Sequence, residues 1–416
     1  MSSSKDNMMK RRSFLQAAAT TAAAFTVLPA GAVRGLEANS KLQIGIIGCG
    51  MRGPWIGEFF ERHADSKVVA LHDYFQDRVD EAGVKLSVSS QSRYIGLNGY
   101  QAMLADPSVD AVAIESPPYF HPDQAVATLA AGKHLFLAKP IAVDVPGCLA
   151  IKDAAARANG KLSAWVDFQT RATEAFQGAA QRLHEGHIGE PVCGQFHYYS
   201  MPMPMVCKDD SSAPGRLRNW VFDIALSGDI IVEQNIHVLD VANWYLQGHP
   251  IKVRGKGGRK ARTYCGDCRD HFLMTYTYPN DVLVEFSSGQ FTYGFSDLCM
   301  RVFCTLGTVD SHYGGDVSVR GKSFSWDGGR TNTIYEDGAI ANVKRFADSI
   351  RNGQPINNVD ESANSNLASI LGRMAADSGE EVTWDEMIAK GERVDAHLEL
   401  PEDGPFHVRE RPTYAP

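Results

Sequence analysis

The chain is poor in the features that mark fibrous, membrane-embedded or nucleic-acid-binding proteins. Only 8 of its 416 residues are cysteine, too few for a disulfide scaffold at this length. Cations do not outnumber anions: 41 Lys and Arg face 49 Asp and Glu, the net charge is −8, and no basic stripe lies beyond the first 15 residues. Nucleic acid is thereby excluded as a partner. Past residue 32 no apolar run is long enough for a spanning helix, so no stable membrane span is expected in the mature chain. There is no Walker loop, EF-hand or Ser-His-Asp nucleophile elbow. What remains is 44% hydrophobic and 22% charged, enough to build cores for two domains at roughly 150 residues each.

Residues 1–32 read as an export signal. Lys10-Arg11-Arg12-Ser13-Phe14-Leu15 precedes a mildly apolar run from Ala17 to Leu28, and Ala30-Gly31-Ala32 fits a cleavage site. The arginine pair points to the bacterial twin-arginine route, which carries folded proteins, and so to a periplasmic or otherwise exported enzyme. Removing this segment, with its four cations and one anion, takes the net charge from −8 to −11.

The next segment has the pattern of a buried strand running into a phosphate-binding turn. Leu42 to Ile47 is an apolar run, followed by Gly48-Cys49-Gly50-Met51-Arg52-Gly53, with Pro54 placed for the first turn of a helix. A second apolar strand, Lys67 to Leu71, leads to Asp73. In this order the glycines permit a tight turn, close approach of backbone to a pyrophosphate, and close helix–strand packing; the acid meets the adenosine ribose. Gly48, Gly50, Met51, Arg52, Gly53 and Asp73 are therefore expected to bind the cofactor. A carboxylate at 73, followed by Tyr74 and Phe75 rather than a cation, favours NAD over NADP. Strands at 111–114, 134–137 and 162–167 continue the alternation with helices. A Rossmann-type, doubly wound parallel α/β sheet is expected over 42–167. The loops 116–121 and 138–140 fall at carboxyl ends of strands, the edge where ligands lie in such sheets.

From residue 168 the pattern changes. Phe272, Met274, Tyr276 and Tyr278 alternate with Leu273, Thr275 and Thr277, as on a sheet with one packed face. An α+β domain with a large open antiparallel sheet is expected over 168–400, and an irregular tail over 401–416. Cys265, Cys268 and His271 suggest a metal, but no second Cys or His pair completes four ligands. No metal site is expected; the two cysteines are read as a loop pair open to oxidation after export.

Taken together, these motifs carry a resemblance. The glycine fingerprint, Ser116-Pro117-Pro118-Tyr119-Phe120-His121, Lys139-Pro140, the run Gly228 to His237, and Glu381-Val382-Thr383-Trp384-Asp385-Glu386 occur in the order found in the Gfo/Idh/MocA oxidoreductases. The resemblance spans about residues 42 to 395. It implies that Lys139 and His237 are catalytic, with Glu233 beside them, and that Ser116, His121 and Lys139 belong to the cofactor site. It also implies homo-oligomers formed through the open sheet. Two departures stand out: Ala138 replaces the usual Glu before the lysine, and Glu233 stands where Asp is commoner. Spacing places Glu233 and His237 on one helical face if the helix begins by Glu233, with Asp240 able to orient the imidazole. Arg171, Arg218 and Trp220 are candidate sugar contacts, the arginines for hydroxyl oxygens and the indole for a ring face.

The expected chemistry is hydride transfer at a secondary hydroxyl of a sugar, cyclitol or glycoside. His237 takes the hydroxyl proton, Lys139 stabilises the alkoxide, and the cofactor is retained and recycled in place. Two alternatives use the same fold: a redox-neutral NAD-dependent glycoside-cleaving enzyme, and a non-catalytic sugar or cofactor sensor. Neither the sugar nor the oxidised carbon is legible in the sequence.

Overall fold

Apolar runs and amphipathic segments assemble, in a computed structural model describing residues 41–404, into two sheets joined by helices. The export-signal expectation (1–32) and residues 405–416 of the expected tail lie outside the described residues.

The first sheet comprises β1 (Leu42–Ile47), β2 (Ser66–Asp73), β3 (Arg93–Ile95), β4 (Ala111–Ile114), β5 (His134–Ala138) and β6 (Ala164–Asp167) in the order 3-2-1-4-5-6. All its pairings are parallel. Every residue of β4 and β6 is buried, as expected for strands covered on both faces. The strand order reverses between β1 and β4, so the loops after them, at Gly48 and Ser116, open the crevice.

The second sheet has nine strands: β7 (Pro191–Ser200), β8 (Lys252–Gly258), β9 (His271–Thr277), β10 (Leu283–Gln290), β11 (Asp297–Cys304), β12 (Gly307–His312), β13 (Asp316–Gly321), β14 (Ser325–Arg330) and β15 (Val382–Thr383). Their order is 14-13-12-11-7-10-9-8-15. It is mixed rather than wholly antiparallel, because β7 and β10 pair in parallel. The expected alternation in β9 holds: Phe272, Met274 and Tyr276 are buried, while Leu273 and Thr275 face outward.

The chain beyond β14 returns to fix the first domain. Helix Ile334–Arg351 packs Val343 and Phe346 against Ile44, Phe60 and Phe136 under the parallel sheet. Full burial of such a side chain contributes about 1.5–3 kcal/mol. Helix Val359–Ser378 and its N-cap carry three polar side chains that hold other segments by their backbone. Asn366 accepts from Ile141 N–H (2.8 Å) and donates to Ala142 O (3.0 Å), just past the cis Lys139–Pro140 bond. Arg373 donates to Val143 O and Gly228 O at 2.9 and 3.2 Å, tying the loop after β5 to the loop before Glu233. Asn358, at this helix's N-cap, brackets Val166 at the end of β6, accepting from its N–H (2.7 Å) and donating to its carbonyl (3.0 Å). No helix among the described residues is long and apolar enough to cross a membrane.

Candidate active site

A cavity of about 460 Å³ opens along the carboxyl edge of the parallel sheet. At one end, the chain leaves β1 through Gly48 at φ +94°, a conformation that suits glycine. A Cβ on Gly48 would lie 2.4 Å from Ser116 N, and one on Gly53 only 1.9 Å from Gly48 O. Both positions thus exclude a side chain for steric reasons. Helix Arg52–His63 begins at this turn, and no side chain caps its first N–H groups. Those donors, with the helix dipole, suit a pyrophosphate. Asp73 ends β2 with one oxygen accepting from Cys49 N–H (2.7 Å) and the other from Phe75 N–H (2.9 Å). It is held rigidly at the cavity wall beside Gly50, Met51 and Ser116. The donor set and close backbone approach fit a dinucleotide whose ribose hydroxyls meet Asp73.

At the other end the residues come from both domains. Arg52 lies 3.0 Å from Glu115, pairs closely with Asp167, and donates to Tyr335 Oη at 3.3 Å. Asn342 donates to the second Asp167 oxygen at 2.6 Å. Burial pushes the Glu115 carboxyl up to about 7, against the opposing pull of Arg52. Glu115 follows Ile114, which pairs with Leu137, so it stands beside Ala138 on the neighbouring strand. Sequence reading missed this carboxylate, and with it Asp167 and Tyr335, because no local motif links positions so far apart in the chain.

Lys139 donates to Glu233 twice, to its carbonyl (2.6 Å) and to its carboxylate (3.2 Å). The expectation of one helix carrying Glu233 and His237 is corrected. Helix Ile230–Glu233 ends there, and Ile236–Tyr245 starts anew after a kink at which both Gln234 and Asn235 donate to Ile230 O. His237 therefore sits in the first turn of the second helix. It is buried, with Phe168 and Tyr313 rings beside it. Burial first, then the positive charges of Lys139 and Arg52, drives its pKa well below the ordinary 6.5. A neutral imidazole at physiological pH follows. His237 Nδ1 and Glu233 Oε2 have no hydrogen-bond partner among the described residues, though both are buried. Two unpaired polar atoms beside an ammonium suit a polar ligand.

Other expected residues are placed differently. Asp240 does not orient His237; it is buried and takes a bidentate pair from Arg171 (2.9–3.0 Å) and a hydroxyl from Ser365. Arg171 also pairs with Glu361 at 3.1 Å, so its guanidinium is committed within the fold rather than presented to a sugar. Arg218 and Trp220 line the cavity, but beside Asp73 and Phe75: Arg218 pairs with Asp77 (2.9 Å) and stacks on Phe75. They sit at the Asp73 end of the cavity. His121 is buried, with Nδ1 at 2.9 Å from Pro140 O and Nε2 at 2.7 Å from Ser116 O. Burial lowers it to about 4, so the neutral ring has one N–H for two carbonyls, and it clamps the two active-site loops together without lining the cavity. Cys265 and Cys268 are both free, buried thiols.

The parallel sheet and its crevice define a dinucleotide-binding oxidoreductase. The profile "Oxidoreductase family, NAD-binding Rossmann fold" matches residues 42–166, and the "GFO/IDH/MocA C-terminal domain" profile matches 176–310. The chain belongs to the Gfo/Idh/MocA family of NAD-binding oxidoreductases. It is 26% identical over 255 residues to an inositol 2-dehydrogenase of Acidothermus cellulolyticus, covering 60% of this chain and 67% of that one. It is 24% identical over 304 residues to a scyllo-inositol 2-dehydrogenase (NAD(+)) of Bacillus subtilis, covering 70% and 80%. Its fold is similar to that of a levoglucosan dehydrogenase solved with NADH and levoglucosan (TM-score 0.66, 19% identity, 83% and 99% covered). It is likewise similar to an aldose-aldose oxidoreductase from Caulobacter crescentus (TM-score 0.68, 19% identity, 83% and 100% covered).

Proposed function

We propose that the protein is an exported NAD-dependent oxidoreductase acting on a secondary hydroxyl of a sugar, cyclitol or glycoside, with its cofactor retained and recycled in place. One observation carries the reading: a buried, neutral His237 feels the positive charges of Lys139 and Arg52, Lys139 is hydrogen-bonded to Glu233, and Arg52 itself lines the cleft that also holds Asp73. The names of the similar proteins support the substrate class.

In this reading Gly48, Gly50, Met51, Gly53 and Ser116 shape the pyrophosphate end and Asp73 accepts from the ribose hydroxyls, while the side chain of Arg52, expected there too, is turned instead to Glu115, Asp167 and Tyr335. Bound NAD supplies the hydride acceptor. His237 removes the substrate hydroxyl proton, which its neutral state allows near pH 7. Lys139, as an ammonium, hydrogen-bonds the same oxygen and stabilises the charge that develops there. Glu233 fixes Lys139. Copies assemble through the open face of the nine-stranded sheet, where Leu273 and Leu283 are exposed, with Phe295 exposed in the loop after β10.

The test is steady-state turnover on a panel of sugars, cyclitols and glycosides with no added dinucleotide, followed by absorbance of reduced cofactor. Many turnovers per bound cofactor support recycling; a single burst relieved only by fresh NAD overturns it. Release of free sugar from a glycoside, without net reduction, would identify a glycoside-cleaving enzyme instead. Export is tested by replacing Arg11 and Arg12 with lysine, which should retain the protein in the cytoplasm.

A further inference from the structure

The outward face of the nine-stranded sheet carries a row of side chains that neither the cleft nor the core uses. Register places Cys299 opposite His197 on one neighbouring strand and opposite His312 on the other. The intervening residues Phe196, Met300 and Val309 are buried in the core, so His197, Cys299 and His312 share the opposite face. Asp297 lies two residues from Cys299 on that same face.

The ligand atoms of Asp297, Cys299 and His312 all lie within 4.8 Å of one another. His312 Nδ1 is 3.3 Å from Asp297 Oδ1, and His197 Nδ1 is 3.4 Å from Asp297 Oδ2. With metal–ligand bonds of about 2.0–2.3 Å, neighbouring donors of a tetrahedral zinc site are ~3.3–3.7 Å apart. Each imidazole also has a second carboxylate behind it. His312 Nε2 is 3.2 Å from Asp310, and His197 Nε2 is 3.4 Å from Glu285. A metal-bound histidine commonly donates its other N–H to a carboxylate in this way.

We infer that Asp297, Cys299 and His312 bind one zinc-like divalent transition metal that cross-links β11 and β12, with solvent completing the four donors and His197 bracing the second Asp297 oxygen. The nitrogen, sulfur and carboxylate donors suit Zn²⁺ over Mg²⁺ or Ca²⁺. Coordination releases the Cys299 thiol proton to solvent and leaves His312 Nδ1 to the metal while its Nε2–H donates to Asp310. The site is independent of the dinucleotide cleft, and a sequence search for a Cys-x-x-Cys pair overlooks it because its ligands meet only through cross-strand register.

The full-length protein, stripped with chelator and then dialysed against Co²⁺ or Zn²⁺, tests this. One equivalent of metal per chain is expected, and Co²⁺ should show a thiolate-to-metal charge-transfer band that Cys299→Ser abolishes and Cys265→Ser leaves intact. Asp310→Asn should weaken Zn²⁺ affinity about 10- to 100-fold through its hold on His312. Substoichiometric metal, a spectrum lacking the thiolate band, or a band removed by Cys265→Ser overturns the assignment and leaves these residues as histidine–carboxylate ion pairs. Stoichiometry and spectrum of the unmodified protein decide the matter should Cys299→Ser fail to fold.

Discussion

The two ends of the cleft are built in opposite ways. The dinucleotide end is made largely of backbone from a short stretch of chain: the turn at Gly48–Gly53, the carboxylate of Asp73 held by two backbone N–H groups, and Ser116 one strand over. The reaction end is made of side chains gathered from both domains and spread across most of the described chain: Arg52, Glu115 and Tyr335 at the cleft with Asp167, and, outside its lining, the Lys139–Glu233 pair and His237. Backbone sites tolerate little at a few glycine positions. Side-chain networks depend on every partner and set charge states jointly, as the effect of Lys139 and Arg52 on His237 illustrates.

If that division is right, substitutions at the two ends should fail differently. The largest effect is expected for His237→Ala, which should reduce turnover about 10²- to 10⁴-fold with fold and NAD affinity kept. A loss below about threefold would remove His237 from proton transfer. Arg171→Ala should act on the fold alone. It leaves Asp240 buried without its partner, at a cost of about 3–5 kcal/mol, read by denaturant unfolding, while KM of the folded enzyme is unchanged. A raised KM with intact stability would restore Arg171 as a sugar contact. Asp73→Ala should weaken NAD binding by about 1.5–3 kcal/mol, or about 10- to 150-fold by titration, with turnover at saturating NAD unaltered.

The smallest effect is on the pH profile. Because the His237 pKa is lowered, its base form persists below the ordinary 6.5, and the limb it sets in kcat/KM should lie on the acid side of that value. Lys139→Met removes a positive charge that disfavours the imidazolium, so the His237 pKa rises and the limb shifts to higher pH. A shift to lower pH, or none, would mean that the ammonium does not act on His237.

Much of the first domain was legible because its signals are local. Leu42–Ile47 and Ala111–Ile114 are continuous apolar runs, and the glycine turn follows directly on the first of them. Arg93–Ile95 escaped notice, since three half-exposed residues carry no period to read. In the second domain the alternation in β9 was plain, yet the parallel pairing of β7 with β10 was not, since pairing partners are set by the packing of distant segments. Lys139, Glu233 and His237 were recognised through family motifs, and the structure brings Lys139 to Glu233. Spacing misled where it assumed an unbroken helix and gave Asp240 to His237, for the kink at Gln234–Asn235 and the claim of Arg171 on Asp240 are both tertiary facts.

By itself the sequence determined five of the six strands of the first domain in their order, the strand–turn–helix that suits a dinucleotide, and the acid at residue 73. These follow from hydrophobic period, glycine conformation and helix-end donors, which act over a few residues. Tertiary structure alone decided that Glu115 stands beside Ala138, that Arg171 serves the fold, that Arg218 and Trp220 flank the Asp73 end of the cleft, and that His197, Cys299 and His312 form one row. Those outcomes depend on strand register and on which buried charges find partners, and both are fixed only when segments distant in the chain pack together.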